Sequence, residues 1–219
     1  MNNIDYSIHY KKWHNDSEEH INSMEKYFKD RIYEFLPKNK NIKILDVGCG
    51  TGLTMLALKK WGYKNIEGVE IDKKQFESCK KKNLDVKMTD DTIKFLEKRK
   101  RKYDLVLALD VLEHIPVKMQ INFTTSIYKS LKSKGIFIAI VPNANSVVAC
   151  RFRYIDWTHK TTFTELSIDF LLRNSGFDTI KIKETGLIKK PKIKEIIKLK
   201  SYFKTLIRFL NFKLVRSLR

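Results

Sequence analysis

The spacing of apolar residues predicts a helix near the beginning of the chain. In residues 17–36 the apolar positions recur every three or four residues, as on a helix with one buried face, and they are Ile21, Met24, Phe28, Ile32 and Phe35. Ser17 is a candidate N-cap, and Pro37 is expected to end the helix because a residue before proline disfavours helical backbone. We assign residues 1–40 to an N-terminal helical cap.

Short apolar runs alternate with helical segments through the middle of the chain. The runs IKILDV, NIEGVEID, DVKMTD, YDLVLALDVL and IFIAIVP are typical of buried strands. Strands joined by helical crossovers form a parallel sheet with helices on both faces. The predicted fold class is therefore α/β, with a Rossmann-like, doubly wound and mostly parallel sheet.

This alternation changes after the fifth predicted strand. A long aromatic and basic connection over residues 143–164 precedes a predicted helix over 165–176 and a predicted strand over 177–185. Residues 187–219 have apolar positions at helical spacing and 11 lysines and arginines against the single acid Glu195. We interpret this tail as a basic amphipathic helix, which is typical of contact with a membrane surface, a partner or the protein's own domain.

The formal net charge of +19 favours a polyanionic partner or an acidic membrane surface. Lysines outnumber arginines, although arginine usually leads in specific phosphate recognition, so a solvated basic surface is the alternative. Three distant cysteines, Cys49, Cys79 and Cys150, favour a reduced cytoplasmic protein without a disulfide framework. No apolar run is long enough to span a membrane.

The stretch ILDVGCGTG predicts a ligand-binding loop, because Gly48, Gly50 and Gly52 follow a strand and precede a helix. A plain tight turn is the alternative. Asp46, just before the loop, would repel a pyrophosphate but suits a cationic group. Glu70, at the end of the second strand, can accept both hydroxyls of a ribose. The implied ligand is a ribonucleoside with a cationic end, which describes S-adenosylmethionine.

These motifs resemble those of the class I S-adenosylmethionine-dependent methyltransferases, of the ubiquinone-methyltransferase-like type found with bacterial surface-polysaccharide biosynthesis. IEGVEID, MTDD and YDLVLALDVLEHI match their later cofactor motifs. The resemblance implies a methyltransferase domain over residues 41–186 and these cofactor contacts: Asp46, Gly48, Cys49, Gly50, Gly52, Glu70, Ile71, Asp90, Asp91, Leu109 and Asp110. We also expect Tyr10, in the N-terminal helical cap, to close the cofactor pocket, with a simple packing role as the alternative. The resemblance also implies a seventh strand, for which the sequence contains no convincing candidate.

Two histidines are candidates for the proton acceptor. A sulfonium methyl group is already activated, so the protein mainly aligns the acceptor and removes its proton. We expect His159 to be the general base, with His114 second. If a helical turn begins at Asp110, then Asp110, Glu113 and His114 share a face, and the family resemblance implies a divalent cation there. The alternative is that Glu113 and His114 brace the following helix, and we expect no metal.

The segment RFRYIDWTH contains four candidate substrate-binding residues, Arg151, Arg153, Tyr154 and Trp157. Two guanidiniums on one side of an extended segment suit an acceptor that bears phosphate or carboxylate, whereas a basic surface loop is the alternative. The pattern FRYxDWTHxxxFT resembles a polysaccharide-associated subgroup. That resemblance implies O-methylation of a sugar, nucleotide-sugar or phosphate-type group, phosphoramidate included.

Two other functions fit parts of the sequence. The charge suggests an RNA or DNA methyltransferase, but the [DNS]-P-P-[YFW] motif and a Pro-Cys nucleophile are missing, so nucleic acid is not the expected partner. A methyltransferase-fold binding protein without activity is the third alternative, against which the intact glycine loop argues. We expect a cytoplasmic enzyme acting on a small-molecule or glycan-precursor substrate. Its basic tail would contact the inner face of the membrane or form a homodimer.

Overall fold

A computed structural model describes residues 15–146 and 148–184 of the chain. Five strands form one parallel sheet in the order β3-β2-β1-β4-β5. The strands are β1 (Lys43–Val47), β2 (Asn65–Glu70), β3 (Val86–Met88), β4 (Tyr103–Leu109) and β5 (Leu131–Ile140). Because all five run in the same direction, the residues that follow them meet at one edge of the sheet.

Seven α-helices precede, connect or follow these strands within the described residues. They are α1 (Glu18–Ile32), α2 (Leu53–Lys60), α3 (Lys73–Lys81), α4 (Thr92–Glu97), α5 (Val117–Ser130), α6 (Ala149–Tyr154) and α7 (Glu165–Asn174). Short 3₁₀ turns cover Tyr33–Phe35 and Leu112–His114. The predicted N-cap is confirmed, since the Ser17 hydroxyl accepts a hydrogen bond from the backbone N–H of His20 at 3.2 Å.

The helices cover both faces of the sheet, as the doubly wound prediction requires. Helices α1, α2 and α3 pack on one face, around a core that includes Phe28, Met55 and Leu58. Helices α4, α5 and α7 pack on the other, around Leu96, Phe123 and Leu171. Along β4, Leu105 and Leu107 belong to the first core and Val106 and Ala108 to the second. This alternation explains why the predicted strand is apolar throughout.

Two predictions near the C-terminal end of the sheet are wrong. Strand β5 begins at Leu131 rather than at Ile136, because Leu131 already pairs with Tyr103 before a register shift. The predicted strand over 177–185 is absent from the described residues 177–184. The Phe177 ring instead lies 5.6 Å from Phe137 and 5.1 Å from Tyr128, over one face of the sheet. In the described part of the chain, the sheet therefore ends at β5.

The predicted cofactor contact Tyr10 and the amphipathic tail over 187–219 lie outside the described residues. The chain divides after Lys183 into two units, and the described residues other than Glu184 belong to the first. None of the helices in the described part is long and apolar enough to cross a bilayer.

Candidate functional site

The glycine loop between β1 and α2 folds back onto the neighbouring strand. The backbone N–H groups of Gly48 and Cys49 donate to the Val69 carbonyl at 2.9 and 3.2 Å. Gly48, Gly50 and Gly52 have backbone φ angles of 65°, 57° and 83°, in a region that residues with a Cβ atom rarely adopt. The loop therefore presents its backbone at the carboxyl edge of the sheet, directly before the N-terminus of α2.

Glu70 ties this loop to the end of β2. Its Oε2 atom accepts from the backbone N–H of Gly50 at 2.8 Å, and its Oε1 atom accepts from those of Ile71 and Asp72 at 2.8 and 2.9 Å. Burial raises the pKa of Glu70, and the N–H donors of Asp72 and Gly50 oppose that rise. The carboxylate thus already accepts three backbone hydrogen bonds. Its contact with a ribose stays a prediction.

Asp46 is the buried carboxyl beneath the loop. Its side chain is 2% exposed, and its Oδ2 atom has no hydrogen-bond partner among the described residues. Burial, followed by the nearby Glu70 carboxylate, raises the pKa of Asp46 to about 8. A cationic ligand would stabilise the ionised form of this buried carboxyl, because the opposite charge offsets the free-energy cost of burying a carboxylate.

The remaining predicted cofactor residues line the same edge in different environments. Ile71 is 62% exposed just beyond β2, whereas Leu109 is buried at the end of β4. Asp91 is the N-cap of α4, and its Oδ1 atom accepts from the Lys94 N–H at 3.1 Å, which lowers the pKa of Asp91. Asp90, the neighbouring acid, is exposed and is not the N-cap of this helix.

The turn after β4 differs from the predicted helical turn. Asp110 has a φ of 55°, and its N–H donates to the Ile140 carbonyl at 3.0 Å. The 3₁₀ turn begins only at Leu112. Asp110 therefore does not share a helical face with Glu113 and His114, and the predicted arrangement of these three residues is wrong.

Helix α1 contributes two side chains near Asp110 that the sequence did not single out. The Arg31 guanidinium lies 3.6 Å from the centroid of the Tyr27 ring. Desolvation by the surrounding protein raises the pKa of Asp110 to about 6, and the Arg31 charge opposes this rise. Burial, followed by the Asp110 charge, raises the pKa of Tyr27 to about 12. Helical periodicity identifies the buried face of α1 but carries no signal for these two contacts.

Glu113 is a second buried carboxyl, on the 3₁₀ turn. It is 1% exposed, and neither carboxyl oxygen has a hydrogen-bond partner among the described residues. Burial, then the charges of Asp110 and Asp156, raises the pKa of Glu113 to about 9. Its backbone carbonyl accepts from the N–H groups of Lys160 and Thr161 at 2.6 and 3.3 Å. These two bonds attach the long connection to the turn.

That attachment brings the two predicted bases together. The rings of His114 and His159 lie 4.6 Å apart between centroids, at an interplanar angle of 71°. Nδ1 of His114 lies 2.8 Å from the Thr158 hydroxyl, and Nδ1 of His159 lies 2.7 Å from the Phe152 carbonyl. Each imidazole is therefore oriented by a hydrogen bond at Nδ1.

The same cluster has the donor atoms of a divalent-cation site. One atom each from Glu113, His114 and His159 can be chosen so that all three lie within 4.8 Å of one another. Asp110 is not in this group. A buried carboxyl without a partner fits such an ion, and one carboxylate with two imidazoles suits a transition metal, which would supply Lewis acidity.

Two of the four predicted substrate residues, Arg151 and Arg153, do not face the same side. Arg151 and Arg153 lie on helix α6 rather than on an extended segment, and residues two apart on a helix point about 200° away from each other. Tyr154 and Trp157 are 75% and 90% exposed. Arg153 donates to the Lys160 carbonyl at 3.2 Å. The prediction that both guanidiniums face one side is therefore wrong.

The comparisons with known proteins agree with this fold. Residues 19–182 match a family model described as a methyltransferase domain. The ubiquinone biosynthesis O-methyltransferase of Rickettsia bellii is 27% identical over an alignment of 146 residues that covers 62% of this chain and 59% of that relative. The corresponding enzyme of Pelagibacter ubique is 36% identical over 108 residues, or 46% of this chain and 42% of the relative.

This chain thus spans less than two thirds of the length of these curated relatives. Among solved structures, an S-adenosylmethionine-dependent methyltransferase from Archaeoglobus fulgidus matches with a TM-score of 0.66 and 21% identity. The match covers 93% of both chains, and it shows a shared fold.

Proposed function

The chain belongs to the methyltransferase domain family, and from that premise we propose that it transfers the methyl group of S-adenosylmethionine to an oxygen atom. The observation that carries the proposal is the glycine loop bound to Glu70, beside the buried Asp46 carboxyl whose Oδ2 atom has no hydrogen-bond partner among the described residues. A loop of this kind accepts a nucleoside, and the cationic end of S-adenosylmethionine would favour the ionised form of Asp46, whose negative charge it complements.

An oxygen acceptor is supported by the histidine pair and by the relatives. A hydroxyl must lose its proton as it is methylated, and a neutral imidazole is a suitable base near neutral pH. His114 and His159 lie together at the edge of the sheet that carries the glycine loop. The curated relatives from Rickettsia and Pelagibacter are named O-methyltransferases.

For the substrate class, the proposal is a sugar, nucleotide-sugar or phosphate-type group, phosphoramidate included, in bacterial surface-polysaccharide biosynthesis. Support comes from the resemblance of FRYxDWTHxxxFT to a polysaccharide-associated subgroup and from the basic side chains beside His159. Arg153 and Lys160 lie on the segment that carries His159. Cations at this position suit an anionic acceptor.

The experiment has two stages. Calorimetry with S-adenosylmethionine tests the donor, and Glu70→Ala is expected to weaken binding at least about tenfold because the loop loses its anchor. Glu77→Ala, on the exposed side of α3, is the matched control. Unmeasurable binding by the wild-type protein would favour the alternative of a binding protein without activity.

The second stage screens acceptors with labelled methyl donor, comparing nucleotide-sugars and phosphorylated glycan precursors with RNA. We expect label in the glycan fraction, and His114→Ala or His159→Ala to lower turnover at least about tenfold while donor binding stays intact. Label found only in RNA would overturn the proposed substrate class, and turnover unchanged in both variants would overturn the role of the histidines.

A further inference from the structure

A hydrogen-bonded chain of side chains ends at the His114 imidazole. Oδ1 of Asp156 accepts from the Thr158 hydroxyl at 2.7 Å and from the Thr158 backbone N–H at 2.8 Å. The Thr158 hydroxyl oxygen lies 2.8 Å from Nδ1 of His114. Asp156 is 7% exposed, and the other two residues are half-buried, so water competes little for these bonds.

This chain determines the tautomer of His114. A threonine hydroxyl has one hydrogen, and Asp156 receives it. The contact between Thr158 and Nδ1 of His114 therefore takes its hydrogen from the imidazole, so Nδ1 is the donor. A neutral imidazole carries a single N–H, which places the lone pair on Nε2.

His159 has the same tautomer but a different partner. Its Nδ1 atom lies 2.7 Å from the Phe152 carbonyl, which can only accept, so Nδ1 again carries the hydrogen. A neutral carbonyl stabilises a developing imidazolium less than a carboxylate does. The two imidazoles thus differ in what lies behind them, a carbonyl at His159 and the Thr158–Asp156 pair at His114.

We propose that Asp156 and Thr158 are positioning residues that prepare His114 as the base of methyl transfer, an inference that rests on the proposed function. The acceptor oxygen bonds to the methyl carbon while the carbon–sulfur bond breaks and its electron pair stays on sulfur. The hydroxyl proton moves to Nε2 of His114. The resulting imidazolium still donates from Nδ1 to Thr158, and the Asp156 charge stabilises it through that hydroxyl.

Variants of the full-length chain separate this role from a structural one. Thr158→Val and Asp156→Asn are expected to lower kcat about 10- to 100-fold, with the KM for S-adenosylmethionine within about threefold of wild type. Thr158→Ser keeps the hydroxyl and is expected to stay within about threefold. Thr161→Val is the matched control, because that hydroxyl donates to the Thr162 carbonyl at 3.0 Å instead of to Asp156.

Nuclear magnetic resonance of isotope-labelled histidines reads the tautomer directly. The chain has five histidines, few enough to assign His114 by comparison with His114→Ala. Wild type and Thr158→Ser should show Nδ1 protonated, and Thr158→Val should shift protons towards Nε2. Asp156→Asn should keep Nδ1 protonated, because the amide oxygen still accepts, and lower kcat through the lost charge alone.

An Nε2-protonated His114 in the wild type, or unchanged kcat in Thr158→Val, would overturn the inference. Turnover abolished by EDTA would make the ring nitrogens cation ligands and overturn the role of His114 as base. The tautomer measurement needs no turnover. A protein whose His114 is protonated at Nδ1 but which transfers no methyl group would therefore refute the proposed function without refuting the assigned tautomer. If Thr158→Val fails to fold, the wild-type spectrum and Thr158→Ser still decide.

Discussion

At the scale of single residues, the site contains carboxyl groups that are buried away from water. Asp46 and Glu113 are buried carboxyls, and the Oδ2 atom of Asp46 and both carboxyl oxygens of Glu113 lack hydrogen-bond partners among the described residues. Glu70 is equally buried but has its oxygens filled by backbone N–H groups. The first two destabilise the folded chain when ionised, and buried ionisable groups of this kind cluster at functional sites of proteins.

Asp46→Asn is expected to stabilise the ligand-free protein and to weaken S-adenosylmethionine binding. Asp46 has a folded pKa of about 8, above the value of about 3.9 in an unfolded chain. The folded state therefore holds a proton that the unfolded state has lost, so stability falls as the pH rises from about 4 to 8 and is constant above that. Because an asparagine side chain does not ionise, the Asp46→Asn variant should not show this decrease in stability with pH.

Urea unfolding at pH 6, 7.5 and 9 measures the effect, with an expected gain of about 1–4 kcal/mol at pH 7.5 for Asp46→Asn. Asp30→Asn, an exposed aspartate on α1, is the control and should change little. A wild-type unfolding free energy that rises over this pH range would contradict the burial argument. Calorimetry should show donor affinity reduced at least about tenfold.

At the scale of elements, the site depends on how loops are attached to the sheet. The glycine loop is bonded to the end of β2 through Val69 and Glu70. The connection over 143–164 is bonded to the turn after β4 through the Glu113 carbonyl. Because the strands are parallel, both attachments fall at the same edge, and residues far apart in sequence become neighbours.

Gly52→Ala is expected to destabilise the protein by about 2–4 kcal/mol. Gly52 has a φ of 83°, and a Cβ there would lie 2.2 Å from Cδ1 of Leu84. Gly62→Ala is a matched control, because its φ is 91° but the nearest atom lies 4.0 Å away. The control should lose only about 1 kcal/mol from backbone strain.

Thermal or chemical unfolding of both glycine variants separates steric overlap from backbone strain. Equal losses in Gly52→Ala and Gly62→Ala would show that the contact with Leu84 relaxes without cost. Leu84→Ala combined with Gly52→Ala should recover part of the loss relative to the sum of the two single variants, since it removes the overlapping atom.

At the scale of the whole molecule, the charge is the feature that the site does not explain. The chain carries +19, of which +10 lies in residues 187–219, outside the described part. Residues 1–186 carry the remaining +9. A charge of this size attracts anionic surfaces over about one Debye length and is screened by salt.

The full-length protein is expected to bind vesicles that contain phosphatidylglycerol and to ignore vesicles of phosphatidylcholine alone. Basic residues near an anionic surface contribute about 1 kcal/mol each at low salt, so raising the salt from about 0.05 to 0.5 M should weaken binding at least about tenfold. Co-sedimentation measures this. Equal binding to both vesicle types would contradict an electrostatic origin, and a steep preference for RNA would identify another polyanion as the partner.

The sequence by itself determined the sheet of parallel strands and the position of the glycine loop beside Asp46 and Glu70. Period and composition are local properties, so β1, β2, β4 and most helices could be predicted. The glycine loop, Asp46 and Glu70 could be predicted because the turn and the following strand are close in the chain. The predicted strand over 177–185 failed because its apolar residues fit a face of the sheet as well as an edge.

Only the tertiary structure decided how the residues around His114 and His159 are assembled. The left-handed backbone of Asp110 removed it from the face of Glu113 and His114, and α6 turned Arg151 and Arg153 apart. His159 meets His114 because two backbone N–H groups bond the Glu113 carbonyl. Such contacts join residues more than forty positions apart, and no periodic pattern in the sequence encodes them. These contacts form only when the chain is folded and its segments pack against the same edge of the sheet.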